Sequence, residues 1–206
     1  MKKIRILIAD DHKIVRIGLT ALLGAEQDMT VVAEAEDGND ALAKAVRYTP
    51  DVIVMDLMMP GLDGVDATTA IKAKCPGAKI VILTSYSTSD GISHALKAGA
   101  DGAVLKTADD TMLLTAIRKV AQGESYLSPT VRKMLAANPP APDLTERQRE
   151  VLDAMSRGLT NKDIAAELGI CEARVAEHVN NIFTKLEASN RVEAVAIALR
   201  KHLLKI

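Results

Sequence analysis

The chain has 206 residues, enough for one large domain or two small ones, with 26 Lys and Arg against 27 Asp and Glu for a net charge of −1. Apolar residues make up 48% and charged residues 26%, which excludes a largely disordered chain. No apolar run approaches the roughly 18 residues of a membrane span.

The opening MKKIRILIADDHK is basic and then apolar, but the apolar stretch stops at Asp10 and Asp11, too early for a secretory signal. With Cys75 and Cys171 as the two cysteines, no disulfide framework is expected, and a cytoplasmic setting is. Trp is absent and Phe occurs once, so the core must be aliphatic.

In chain order, short β-branched runs alternate with helical spacing. Strands are predicted at IRILIA (4–9), MTVVAEA (29–35), DVIVMD (51–56), KIVILTS (79–85) and GAVLK (102–106). Helices are predicted at 14–25, 40–48, 65–74, 89–99 and 110–123, the last two closed by Gly99 and Gly123. Five βα units with near-continuous apolar strands predict a doubly wound, five-stranded parallel sheet of the α/β class. Residues 124–143 read as a linker. It holds a short helix at 128–138, with Ser128 as N-cap and Pro129 at the first position, and then the proline-rich NPPAPD (138–143). From Leu144 to Ile206 only helices are predicted, so a small all-α domain follows. Thr145 with Gln148 and Thr160 with Asp163 form capping-box patterns.

Ligands of doubly wound sheets bind at the carboxyl ends of the strands. Those ends carry Asp10 and Asp11, Asp56, Thr84 and Ser85, and Lys106. Clustered carboxylates repel one another, and a hard cation such as Mg²⁺ relieves the repulsion while sharing a phosphate. A lysine and a hydroxyl alongside suit phosphoryl oxygens. The set is complete for phosphoryl transfer to a carboxylate. The simpler alternative, acidic helix caps after strands, suits Asp10 or Asp11 alone better than the three carboxylates, hydroxyl and lysine together.

ADDH (9–12), MDLMMPGLDG (55–64), LTSY (83–86) and LKT (105–107) make residues 1–123 resemble a two-component receiver domain. The resemblance implies a flavodoxin-like fold and Asp56 as phosphoacceptor. It also implies Mg²⁺ held by Asp10, Asp11, Asp56 and the Met58 backbone carbonyl, with Thr84 and Lys106 on the phosphoryl group. Pro60 and Gly64 then shape the loop. Many receivers carry an aromatic three residues before the lysine, where this chain has Ala103; Tyr86 is the nearby aromatic. The switch is therefore expected to run through Thr84 and loop movement, with Met58 and Tyr86 flanking the phosphoryl group.

LTERQREVLDAMSRGLTNKDIAAELGI, VxxHVNNIFTKL (175–186) and NRVEA (190–194) make residues 144–206 resemble a LuxR-type helix-turn-helix domain. Together the halves resemble the NarL/FixJ class of response regulator. The resemblance implies a sensor histidine kinase as phosphoryl donor, double-stranded DNA as target, a homodimer when phosphorylated and no membrane association. It places the helix from about Glu172 to Leu186 in the major groove. The family pattern Ser-x-x-Thr-Val-Lys-x-His is here Cys171-Glu-Ala-Arg174-Val175-Ala176-Glu177-His178. The serine cap and a DNA-contacting lysine are thus replaced, and residues 139–206 carry ten basic and ten acidic side chains. The expected DNA set is Lys162, Arg174, Glu177, His178, Asn180, Asn181 and Lys185. The expected dimer stripe is Val192, Val195, Ala196 and Leu199, with packing on its own domain as the alternative.

Two other functions stay open at this stage. One is a phosphorylation-controlled protein-binding module. The other is a phosphatase of the same aspartate chemistry, disfavoured because Met58 stands where such enzymes carry an acid.

Overall fold

The computed structural model describes residues 3–85, 89–137, 144–200 and 203–204. Tyr86, the proline-rich 138–143 and His202 lie outside them. The chain forms two compact units, residues 1–139 and 140–206.

The first unit is a parallel sheet in the order β2-β1-β3-β4-β5-β6. Its strands are β1 (Ile4–Ala9), β2 (Met29–Ala35), β3 (Val52–Met55), β4 (Lys79–Thr84), β5 (Gly102–Leu105) and β6 (Tyr126–Leu127). Helices α1 (Lys13–Gly24), α2 (Gly38–Tyr48), α3 (Gly64–Lys74), α4 (Ser89–Lys97) and α5 (Asp110–Ala121) connect them. Alternation along each strand supplies both faces. Ile6 and Ile8 of β1 join Val52, Val54, Val81, Leu83 and Val104 under α1 and α5. Leu7 joins Ile53, Met55, Ile80 and Ile82 on the other face, under α2, α3 and α4. These central strands are buried on both sides, as their unbroken apolar runs predict.

The sequence predicted five strands, and the sheet has six. β6 pairs parallel with β5, Ala103 opposite Leu127, and the Ser128 N–H donates to the Ala103 carbonyl at 3.1 Å. Two residues leave no period to read, and Pro129 follows at once. The helix after it, α6 (Pro129–Ala137), is capped where expected: the Ser128 hydroxyl accepts from the Val131 N–H at 3.4 Å. Val131 is fully buried in the same core as Ala103, and Met134 and Leu135 pack against that core. Residues 124–137, read as linker, therefore complete one face of the sheet.

The second unit is all-helical: α7 (Glu146–Ser156), α8 (Asn161–Leu168), α9 (Glu172–Leu186) and α10 (Arg191–Arg200). Both capping boxes form, Thr145 with Gln148 and Thr160 with Asp163, each satisfying two otherwise orphaned backbone N–H groups. Gly169 ends α8 at φ +64°, a conformation that costs glycine little. Val175, Val179, Ile182 and Leu186, at helical spacing along α9, join Val151, Leu152 and Ile164 in the core.

Candidate functional site

Parallel strands end on the same edge, so β1, β3, β4 and β5 deliver their last residues to one rim. The Asp56 N–H donates to the Ala9 carbonyl (2.8 Å) and the Lys106 N–H to the Thr84 carbonyl (2.9 Å), which fixes the strand ends relative to one another. Asp10, Asp56 and Thr84 are buried, while Asp11 is exposed. Lys106 Nζ lies 2.5 Å from Asp10 Oδ2 and 2.6 Å from Asp56 Oδ2. Burial by itself pushes the Lys106 pKa down, but the hydrogen bonds from Asp10 and Asp56 outweigh it and the pKa is raised. The cation thus stays charged between the two carboxylates.

The other Asp56 oxygen, Oδ1, accepts from the Leu57 N–H at 2.7 Å and faces the Met58 N–H at 3.4 Å. Met58 itself is half exposed. The loop holding these amides turns back at Gly64, whose N–H donates to the Leu57 carbonyl. A Cβ at Gly64 would lie 2.1 Å from the Asp56 carbonyl oxygen, so only glycine permits this closure.

The ligand atoms of Asp10, Asp11, Asp56 and His12 all lie within 4.8 Å of one another. Carboxylate oxygens at this density suit a hard divalent cation, and the Lys106 ammonium offsets only part of their charge.

Two neighbours were missed in the sequence. His12 stands in the ADDH motif with no role assigned from the sequence, yet its Nδ1 lies 2.7 Å from Asp11 Oδ1. Arg16 donates to the Asp10 carbonyl at 2.7 Å and so braces the end of β1. Arg16 is six residues from Asp10, a separation that signals nothing until a helix start lies between them. Tyr86, read as a flank of this site, falls outside the described residues.

In the second unit, α9 presents Arg174, Glu177, Asn180 and Asn181 to solvent, with His178 half-buried. Cys171 occupies the N-cap of α9 without a side-chain cap bond. Arg174 Nη1 donates to Glu177 Oε2 at 2.8 Å. Lys185 Nζ is 2.9 Å from Gln148 Oε1, on the buried α7 side, so it does not stand with the exposed set. Lys162 is exposed in the first turn of α8. On α10, Val192, Ala196 and Leu199 are exposed along one stripe, whereas Val195 packs on its own core.

A doubly wound sheet with a buried aspartate pair bridged by a lysine, joined to a helical unit with an exposed helix, defines a receiver-and-output protein. The comparisons agree. Residues 6–118 match the response regulator receiver domain, and residues 142–198 match the bacterial regulatory proteins of the luxR family. The response regulator protein VraR of Staphylococcus epidermidis is 39% identical over 98% of this chain and 99% of its own. The response regulator ChrA of a heme-sensing two-component system is 38% identical, covering 99% of this chain and 100% of its own, with a TM-score of 0.59. RcsB, solved as two dimers bound to two parallel DNAs, is 26% identical over 97% of this chain and 99% of its own, with a TM-score of 0.69. The chain belongs to the two-component response regulators that join a receiver to a LuxR-type helix-turn-helix DNA-binding domain. This is a family of transcription regulators, not of enzymes. No helix among the described residues is long and apolar enough to cross a membrane.

Proposed function

We propose that Asp56 accepts a phosphoryl group from a phosphohistidine of a sensor kinase, and that this controls sequence-specific DNA binding by the second unit as a homodimer. The observation that carries the reading is the Lys106 ammonium gripping both Asp10 and Asp56 at the strand ends. An Asp56 oxygen attacks phosphorus, the P–N bond breaks with its electron pair passing to the imidazole that stays on the kinase, and the new P–O bond leaves the group beside Lys106. Mg²⁺ supplies charge neutralisation for the phosphoryl oxygens, and Asp10, Asp11, Asp56 and the Met58 carbonyl are the residues to hold it. Once Asp56 is an acyl phosphate, Lys106 exchanges a carboxylate partner for phosphoryl oxygens, and Thr84 turns its hydroxyl to the same group. The change in charge shifts the loops after β4 and β5 between two arrangements.

Lys162, Arg174, Glu177, His178, Asn180 and Asn181 form the DNA-facing set, and Lys185 acts by holding α9 to α7. Val192, Ala196 and Leu199 are the dimer stripe; a two-fold dimer matches a two-fold DNA site.

The test is selection of duplexes from a random pool at stated salt, with and without beryllofluoride, using Asp56→Ala as control. Enrichment of a two-fold site, strengthened by beryllofluoride and lost in the control, supports the proposal. A folded protein that takes beryllofluoride and enriches nothing replaces it with a phosphorylation-controlled protein-binding module.

A further inference from the structure

The recognition surface of α9 can be read from its burial. Val175, Val179, Ile182 and Leu186 face the core, so the opposite stripe is Ala173, Glu177, Asn181 and Thr184, all exposed. Glu177 stands at its centre and Arg174 beside it. An acid at the middle of a face that meets a polyanion opposes binding through the phosphates. Its charge is, moreover, cancelled by its neighbour: Arg174 Nη1 donates to Glu177 Oε2 at 2.8 Å, one turn apart. The pair therefore adds almost nothing to sequence-independent attraction. Its chemistry suits base edges.

We propose that Arg174 and Glu177 act as one unit that selects a G·C pair, Arg174 donating to guanine O6 and N7 while Glu177 holds the guanidinium in place. This rests on the DNA-binding reading given above. Glu177 engages Nη1 alone. Among the described residues, Nε and Nη2 of Arg174 have no hydrogen-bond partner. That free edge is a planar two-donor fork, the shape that guanine's two major-groove acceptors fit. The small side chains of Ala173 and Ala176 leave the approach open. An exposed arginine otherwise samples many rotamers. Tethering one nitrogen removes part of that freedom before DNA arrives. Glu177 is thus a positioning residue, and Arg174 the group that touches the base.

The experiment uses the full chain with beryllofluoride. Sites are selected from a random pool by the parent, Arg174→Lys and Glu177→Gln, and affinities are then measured on the parent site and on its single G·C→A·T variants. Both side chains are exposed, and circular dichroism checks that each variant folds. The parent is expected to select guanine at one position of each half-site and to discriminate there by roughly tenfold or more. Arg174→Lys loses selection at that position alone. Glu177→Gln weakens discrimination there several-fold while binding unrelated duplex more tightly, since one negative charge is gone. A purely structural role does not move preference at one base pair.

If Arg174→Lys keeps the guanine while Glu177→Gln loses a base, Glu177 reads cytosine itself and the proposal is overturned. It is equally overturned if both variants select the parent motif unchanged. If the parent enriches no duplex, the DNA-binding reading fails and takes this one with it.

Discussion

Lys106 Nζ stands 2.6 Å from Asp56 Oδ2, so a cation from the end of β5 reaches past β4 to pair with the carboxylate at the end of β3. The same ammonium reaches Asp10 at 2.5 Å. All three side chains are largely buried, and removing the cation leaves two carboxylates facing each other in a poorly solvated rim.

Lys106→Met is therefore expected to lower stability by about 3 kcal/mol near neutral pH, the usual order for removing one partner of a buried ion pair. A divalent cation can take over part of the lost neutralisation. Added Mg²⁺ should raise the melting temperature of the variant more than that of the parent. Thermal melts with and without Mg²⁺ check both statements. An equal Mg²⁺ effect on the two proteins contradicts the cation site at Asp10, Asp11 and Asp56.

A second charged knot lies at the opposite end of the strands. Asp101 Oδ2 takes Lys72 Nζ at 2.7 Å and the Ile80 N–H at 3.0 Å, and Oδ1 takes Lys79 Nζ at 3.1 Å. Burial alone raises the Asp101 pKa, but these bonds outweigh it and the pKa is lowered. A depressed carboxylate stabilises the fold above its unfolded value near 3.8, and that contribution is lost as pH falls through the folded value. Asp101→Asn should cost about 2 kcal/mol at pH 7. The gap to the parent should close below pH 3.8. Urea titrations across pH measure it.

Ala103 is fully buried, opposite Leu127 in the β5–β6 register and in one core with Val131 of α6. The sequence already marks Ala103 as the place where many receivers carry an aromatic. It does not show that α6 closes over that position. Ala103→Tyr should overpack this core and cost about 1–3 kcal/mol. Urea unfolding is the measurement; a neutral or stabilising outcome contradicts the tight fit of α6 on β5.

The central strands of the receiver, β1, β3 and β4, were legible because burial on both faces writes apolar, β-branched runs into the chain. β1 and β2 occupy the residues predicted, Ile4–Ala9 and Met29–Ala35. The capping boxes of α7 and α8 were legible for a local reason: donor and acceptor are three residues apart. Most of the missed features are contacts that local spacing does not encode. β6 is two residues long. Arg16 reaches Asp10 only after α1 starts between them. Lys185 meets Gln148 across 37 residues of sequence, so nothing local announces that contact. The Arg174–Glu177 pair is local, yet the sequence names the two only as separate members of the expected DNA set. The hydrogen bond between the two turns that acid into a brace for the arginine.

The N-cap of α9 is the position where this chain most plainly forgoes stability. Cys171 has the extended backbone of an N-cap, φ −76° and ψ 153°, and makes no side-chain cap bond. The Arg174 N–H turns to the Cys171 carbonyl at 3.0 Å, and no first-turn N–H receives a side-chain acceptor from the cap residue. A serine hydroxyl in the same geometry accepts from one of these N–H groups, with no change in backbone. Cys171→Ser should therefore stabilise the second unit by about 1 kcal/mol. The effect should appear in the thermal transition of that unit and leave the receiver transition in place. Since α9 is also the helix proposed to meet DNA, a firmer first turn should hold Arg174 and Glu177 more rigidly and slow dissociation from the selected site. Melting and dissociation rates on the same preparation separate the two effects, and a serine variant no more stable than the parent rejects the missing cap as a weak point of α9.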